Sequence, residues 1–365
     1  MLRMSHHFGG AVMKYRSTPI PSTAWTVMVA LLAAWFLCWS MPALANELTD
    51  TSTNLGERSR ALQRAQNAVV GLQVVALEGA RSNATLGPIR TGSGVVIDGE
   101  GLVLTIGYLV LEADEVQIVL DDDRTIPARV IGYDVATGFG LVQALAPLRL
   151  QAAPLGRSAG LAQREMMMIA SGGDDGAVSP AWLVSRRAFS GYWEYHIPGA
   201  LFTTPPRRDH SGAGLFNAAG ELVGIGSLFL ADAAAPEEPD RVPGNMFVPV
   251  DLLRPILDEL RRIGSTVSSR RAWLGLNCVE RNGDVRVVRV NDDSPADVAG
   301  LQPGDQILRV DGTEVHALEA LWKTLWSGGA PEREVVLEIQ RDGSPQTVHV
   351  FSVDRMKTLK RPQGI

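Results

Sequence analysis

The sequence predicts a mainly β protein of two folded regions behind an export leader. Three observations carry that expectation. From Val69 to Val250, short apolar runs follow one another, closed by Gly- and Asp-rich turns, with few helical stretches between them. A Ser/Arg-rich stretch, Gly264 to Arg271, then interrupts the pattern and a second set of strands begins. At 365 residues the chain is long for one average domain, and its 45% apolar and 20% charged composition suits packed cores. The net charge is −6 and no basic block stands out, which argues against a nucleic-acid partner.

The leader comes first. Ala24 to Trp39 is apolar, Arg3, Lys14 and Arg16 precede it, and Ala43-Leu44-Ala45 closes it with small residues. This reads as a secretory signal of residues 1–45, cut after Ala45, and it places the mature chain in a bacterial periplasm. Left uncut, the same run would hold the chain at the membrane. Cys38 leaves with the leader, so Cys278 stands alone as a buried structural thiol. No His/Cys/Asp cluster has metal-ligand spacing, and no cofactor is expected.

In the first region, residues 46–265, a short helix fits residues 55–66 and Val69 to Val75 reads as a strand. Thr91 to Asp98, the turn Gly99-Glu100-Gly101, and Leu102 to Thr105 form a hairpin. Glu115 to Leu120 and Thr125 to Gly132 flank the turn at Asp121, and Gly138 to Val142 is a further strand. Asn245 to Val250 closes the region as a strand, with a helix expected over Leu252 to Ile263. Small residues surround Ser211 in Asp209-His210-Ser211-Gly212-Ala213-Gly214, and the short hairpin Asn217 to Ile225 leads out of that turn. A nucleophilic serine needs such a tight turn, where backbone N–H groups can hold an oxyanion.

In this order, the hairpin at 91–105, Ile131 to Thr137, the Ser211 turn and the closing segment resemble the chymotrypsin-like protease domain of the HtrA/Do family over about residues 65–265. The resemblance implies a double β-barrel and a Ser/His/Asp triad. Carried over residue by residue, only Ser211 matches. Tyr108 stands where the family has its histidine base, and Gly138 stands where it has its aspartate. A phenol of pKa near ~10 is a poor base at neutral pH. Glycine offers no carboxylate, and a serine without a base is barely nucleophilic. Asp209 replaces the glycine the family has two residues before its serine, and there it is expected to oppose a developing oxyanion. The adjacent Asp209-His210-Ser211 contains all three triad residue types, but neighbours on a turn point apart and cannot chain their hydrogen bonds.

Other residues take plainer readings. His196 lies upstream of the serine and is expected as a surface or satisfied core histidine. Met166-Met167-Met168 reads as a buried strand. Tyr192-Trp193-Glu194-Tyr195 is aromatic-rich; core or loop packing is the default, with a peptide groove the alternative. Ala231 to Arg241 reads as a polar, Pro-rich loop.

After a linker at 266–271, residues 272–355 carry strands at Trp273 to Val279, Val285 to Val290, Glu334 to Gln340 and Thr347 to Phe351. A Ser-capped helix starts at Ser294-Pro295, a second helix runs over Ala317 to Trp326, and residues 356–365 form a tail. The run Ser294-Pro295-Ala296-Asp297-Val298-Ala299-Gly300-Leu301-Gln302-Pro303-Gly304-Asp305 resembles the PDZ domain that follows HtrA protease domains. The resemblance implies peptide binding by strand addition. The backbone of Trp273, Leu274, Gly275 and Leu276 would hold a terminal carboxylate, and the helix at 317 would form the other wall. A PDZ domain used only for docking within its own chain or for trimer contacts is the alternative.

The fold class expected is therefore a chymotrypsin-like double β-barrel followed by a PDZ domain. The function expected is an exported pseudoprotease that binds unfolded proteins or protein C-termini in quality control. An active endopeptidase using Ser211 with an unconventional base is the alternative, and the family resemblance implies a homotrimer or an assembly with an active homologue.

Overall fold

A computed structural model of the chain describes residues 56–121, 124–173, 176–234 and 240–360. The expected leader lies outside these residues, as do parts of the turn at Asp121 and of the loop at 231–241.

Helix α1 covers residues 56–66. Six antiparallel strands follow: β1 (Val69–Ala76), β2 (Ile89–Val96), β3 (Leu102–Ile106), β4 (Ala113–Val119), β5 (Thr125–Tyr133) and β6 (Phe139–Ala144). They close into a barrel in the order β1-β2-β3-β6-β5-β4. β3 is apolar at four of its five positions and all five are buried, so it lines the barrel centre, while β5 alternates between exposed and part-buried positions. Two single-turn helices lie between strands, α2 (Asn83–Leu86) and α3 (Gly107–Val110).

A second closed barrel has the order β10-β11-β12-β9-β8-β7. Its strands are β7 (Met166–Ala170), β8 (Val178–Ser190), β9 (His196–Thr204), β10 (Gly214–Phe216), β11 (Leu222–Leu230) and β12 (Gly244–Pro249). Closure leaves neither barrel with a free edge. In β7, Met167 and Met168 are buried as expected, whereas Met166 faces out.

The long helix expected over Leu252 to Ile263 is not continuous. A 3₁₀ turn, Val250–Leu252, is followed by helix α4, Leu257–Ile263. Pro255 lies between them; it has no N–H to donate and its ring crowds the preceding turn. Gly264, left-handed at φ 79°, caps α4.

The linker is tied down. Val267–Ser269 forms a 3₁₀ turn, and Thr266 Oγ1 and Ser269 Oγ each donate to Asp134 Oδ1 at 2.5 Å. Thr137 donates to the other oxygen of Asp134 through its backbone N–H at 2.8 Å and its hydroxyl at 2.5 Å. The fully buried Asp134 thus joins the first barrel to the chain entering the last domain.

That domain has its own core, which includes Cys278 and Trp322. β13 (Ala272–Trp273) pairs with β20 (Val353–Asp354). The main sheet runs β14 (Leu276–Arg281), β15 (Asp284–Val290), β16 (Gln306–Val310), β18 (Glu334–Arg341), β19 (Ser344–Phe351), with β17 (Thr313–Glu314) beside β16. Helix α5 (Pro295–Val298) is capped by Ser294 Oγ, and α6 (Leu318–Ser327) buries Leu321, Trp322 and Leu325. The chain is mainly β, two six-stranded chymotrypsin-like barrels followed by a PDZ domain.

Candidate functional site

Ser211 lies at the seam between the barrels. Its carbonyl accepts from the Ser93 N–H of β2 at 2.8 Å, and the next residue, Gly212, donates to the Gly226 carbonyl of β11 at 2.9 Å. Tyr108 reaches it from α3, directly after the buried strand β3. The turn carrying Tyr108 is held from below by the buried Arg90, whose Nη1 donates to the Tyr108 carbonyl at 3.0 Å and the Leu111 carbonyl at 2.6 Å.

The Tyr108 hydroxyl lies 2.8 Å from Ser211 Oγ and 2.8 Å from the Ser227 carbonyl oxygen. A phenol has one proton and a carbonyl can only accept. With that proton on the Ser227 carbonyl, Ser211 donates its own to the phenol oxygen. Burial raises the Tyr108 phenol to about 12, only partly offset by the Ser211 hydrogen bond, so the phenolate is scarce at neutral pH.

Gly138 opens the segment into β6, with its carbonyl accepting from Gly107 N at 2.6 Å. Its φ of 80° lies in the left-handed region. Tyr195 covers it: a Cβ added at Gly138 would sit 2.8 Å from Tyr195 Oη. That hydroxyl donates to the Thr137 carbonyl at 3.0 Å. Sequence reasoning missed Tyr195. An aromatic-rich turn between β8 and β9 was the available signal, but nothing local said that it would reach Gly138.

Asp209 departs from expectation. Its carboxylate does not face the serine turn's interior; it is turned onto Arg207 and Ser171. Arg207 Nε donates to Oδ1 at 2.9 Å, and Arg207 Nη2 and Ser171 Oγ both donate to Oδ2. Partial burial raises the Asp209 carboxyl, but Arg207 and Ser171 outweigh that and hold it below the usual range. The repulsion expected at an oxyanion is therefore largely compensated. His210 Nδ1 is engaged by the Arg207 carbonyl at 3.0 Å, and burial lowers its pKa. His196, buried, pairs with Ser190 Oγ at 2.9 Å and lies 3.9 Å from Glu319 of α6.

A cleft of about 690 Å³ runs from Tyr108, Tyr195 and His210 to Asn277 and Val288 of the last domain. At its border, the segment 191–194 leaves β8 and lies along β14. The Cys278 N–H donates to the Tyr192 carbonyl at 2.6 Å, and Trp193 pairs antiparallel with Asn277. Trp322 Nε1 of α6 donates to the Gly191 carbonyl at 3.0 Å. Glu194 Oε1 accepts from the N–H groups of Leu274 at 3.1 Å, Gly275 at 2.8 Å and Leu276 at 3.2 Å. Burial pushes the Glu194 carboxyl up to about 7, against these donors and Arg355, which favour the anion. Core or loop packing was the default expectation for residues 192–195. Tyr195 follows it, while 192–194 enter the other domain's groove. Cys278 is buried and free, and burial pushes its thiol up. Among the described residues no cluster of ligands could hold a metal, and no helix is long and apolar enough to cross a membrane.

The family model of the trypsin-like peptidase domain matches residues 92–225, and that of the PDZ domain matches residues 272–351. The chain is 30% identical over 275 residues to a Hahella chejuensis protein named "Probable periplasmic serine endoprotease DegP-like", covering 71% of this chain and 56% of the relative. A Pseudomonas fulva protein of the same name is 30% identical over 274 residues, covering 71% and 55%. The chain thus spans about half the length of the curated relatives it matches. Among solved structures, "HtrA-type protease AlgW with tripeptide" superposes with a TM-score of 0.51 at 22% identity, covering 84% of this chain and 98% of that one.

Proposed function

The chain has the build of the HtrA/DegP family, a trypsin-like peptidase domain followed by a PDZ domain, and we propose that it is an exported pseudoprotease that binds unfolded proteins or protein C-termini. One observation carries this reading. The group in hydrogen-bond contact with Ser211 is the Tyr108 phenol, raised to about 12 and 2.8 Å from a carbonyl that takes its single proton. A base that holds its proton at neutral pH cannot take one from serine. Gly138, covered by Tyr195, supplies no carboxylate to orient a base. On this reading Ser211, Tyr108 and Gly138 are vestiges of a triad, and Trp273, Leu274, Gly275 and Leu276 are the peptide-carboxylate loop.

The names of the relatives support a periplasmic location. Homotrimers, or assembly with an active homologue, belong to the same proposal; light scattering of the purified chain would read the stoichiometry. The retained Ser211 keeps an active endopeptidase as the competing reading. A fluorophosphonate probe together with an unfolded protein substrate separates the two. The expected result is no labelling and no cleavage above the Ser211→Ala level, with the substrate held soluble. Labelling lost in Ser211→Ala would overturn the pseudoprotease reading.

A further inference from the structure

A PDZ domain reads a C-terminal peptide as an added strand whose last carboxylate meets the N–H groups of one loop. The contacts of residues 191–194 match that pattern position by position. The Cys278 N–H of β14 donates to the Tyr192 carbonyl, Trp193 pairs antiparallel with Asn277, and a carboxylate at the next residue accepts from Leu274, Gly275 and Leu276. The opposite wall joins in through Trp322 of α6, which holds the Gly191 carbonyl. The chain continues into β9, so it has no α-carboxylate to offer here. The side chain of Glu194 supplies one in its place.

We propose that Gly191–Glu194 is a built-in ligand of this groove, its Glu194 carboxylate standing for a peptide's terminal carboxylate, and that extended C-terminal peptides bind only by displacing it. This rests on the reading of the last domain as peptide-binding. Two features suit a displaceable segment. Four main contacts hold a four-residue stretch, and a free peptide could replace each of them. Glu194 gives up solvent to reach the loop, a cost that a terminal carboxylate arriving from water pays equally.

The test uses the full chain and a fluorescein-labelled peptide, Ser-Gly-Tyr-Trp-Ala, with a free C-terminal carboxylate, beside its C-terminal amide. Anisotropy is read for wild type, Glu194→Ala and the near-isosteric Glu194→Gln. The expected result is at least tenfold tighter binding of the free-acid peptide to Glu194→Ala, an intermediate gain for Glu194→Gln, and no gain for the amide. Hydrogen exchange on wild type gives a second readout without a variant: saturating peptide should speed exchange at residues 191–196 while 274–278 stay protected. Equal affinity for wild type and both variants would overturn the built-in ligand and leave peptide binding standing. No binding by any of the three would overturn both.

Discussion

The hydroxyl of Tyr195 occupies the space above Gly138: a Cβ at residue 138 would lie 2.8 Å from Tyr195 Oη and 3.4 Å from the ring. Tyr195 therefore fills the space that a side chain at residue 138 would need. Tyr108 donates to the Ser227 carbonyl and Tyr195 to the Thr137 carbonyl, so both phenols are satisfied without any ionised group.

Restoring triad residues should accordingly fail. In Tyr108→His with Gly138→Asp, the new aspartate must adopt φ 80° and enter space held by Tyr195. The left-handed backbone alone costs about 1–2 kcal/mol for a residue with a side chain. We expect no cleavage of an unfolded substrate above the Ser211→Ala level and a lowered melting temperature. Cleavage by the double variant would show that Tyr195 yields its place.

Gly275 is the tightest point of the carboxylate loop. Its φ is 84°, and a Cβ there would meet Ser294 Cβ at 2.3 Å. A substitution such as Gly275→Val should reposition the three N–H donors, lose Glu194 docking, and abolish binding of free-acid peptides, as read by anisotropy. Unchanged affinity would mean that these N–H groups do not recognise the carboxylate.

Asp134 gives a test of how the domains are joined. Its buried carboxylate accepts from Thr137, Thr266 and Ser269, and Asp134→Ala would leave three hydroxyls and one N–H without that acceptor. Hydrogen bonds to a charged group are worth about 1.5–3 kcal/mol each and are not additive, so a loss of about 3 kcal/mol or more is expected in urea unfolding. Hydrogen exchange should rise first at 266–271. A loss below ~1 kcal/mol would mean that the linker is held by other contacts.

The strands were legible because barrel strands repeat short apolar patterns and their turns carry Gly and Asp. The PDZ motif around Ser294 was legible because many positions are constrained together. Tyr108 and Gly138 were found by position, through the family resemblance. What stayed hidden depends on long-range placement. Glu194 meets Gly275 across 81 residues, and no local pattern sets that pairing. Tyr195 reaches Thr137 across 58 residues in the same way. The reversal at Asp209 had a local sign, since Arg207 stands two residues earlier, but only the folded turn aims the guanidinium at it. Pro255 was equally visible, and it is what divides the expected helix at 252–263.

Proton linkage at Glu194 sets the last expectation. The docked carboxyl titrates at about 7, mainly because burial disfavours its charged form. Arg271 and Arg355 line the same pocket, and Cys278 lies near with its thiol pushed up by burial and by Glu194, so it stays neutral. Released into water, Glu194 returns to the ordinary carboxylate value near ~4.3. Between these two values the docked segment binds more protons than the released one. Raising the pH therefore favours release, from just above the ordinary value up to about 7, beyond which the effect levels off. In the peptide-free chain, release of the segment, read by hydrogen exchange at residues 191–196 after correction for its intrinsic pH dependence, should rise on the order of tenfold between pH 5.5 and 7.5. His196 and His210, both with pKa values lowered by burial, are controlled for by Glu194→Gln, whose segment release should show a flat profile over that range. A rise of the same size in Glu194→Gln would assign the pH dependence to another group and remove Glu194 from it.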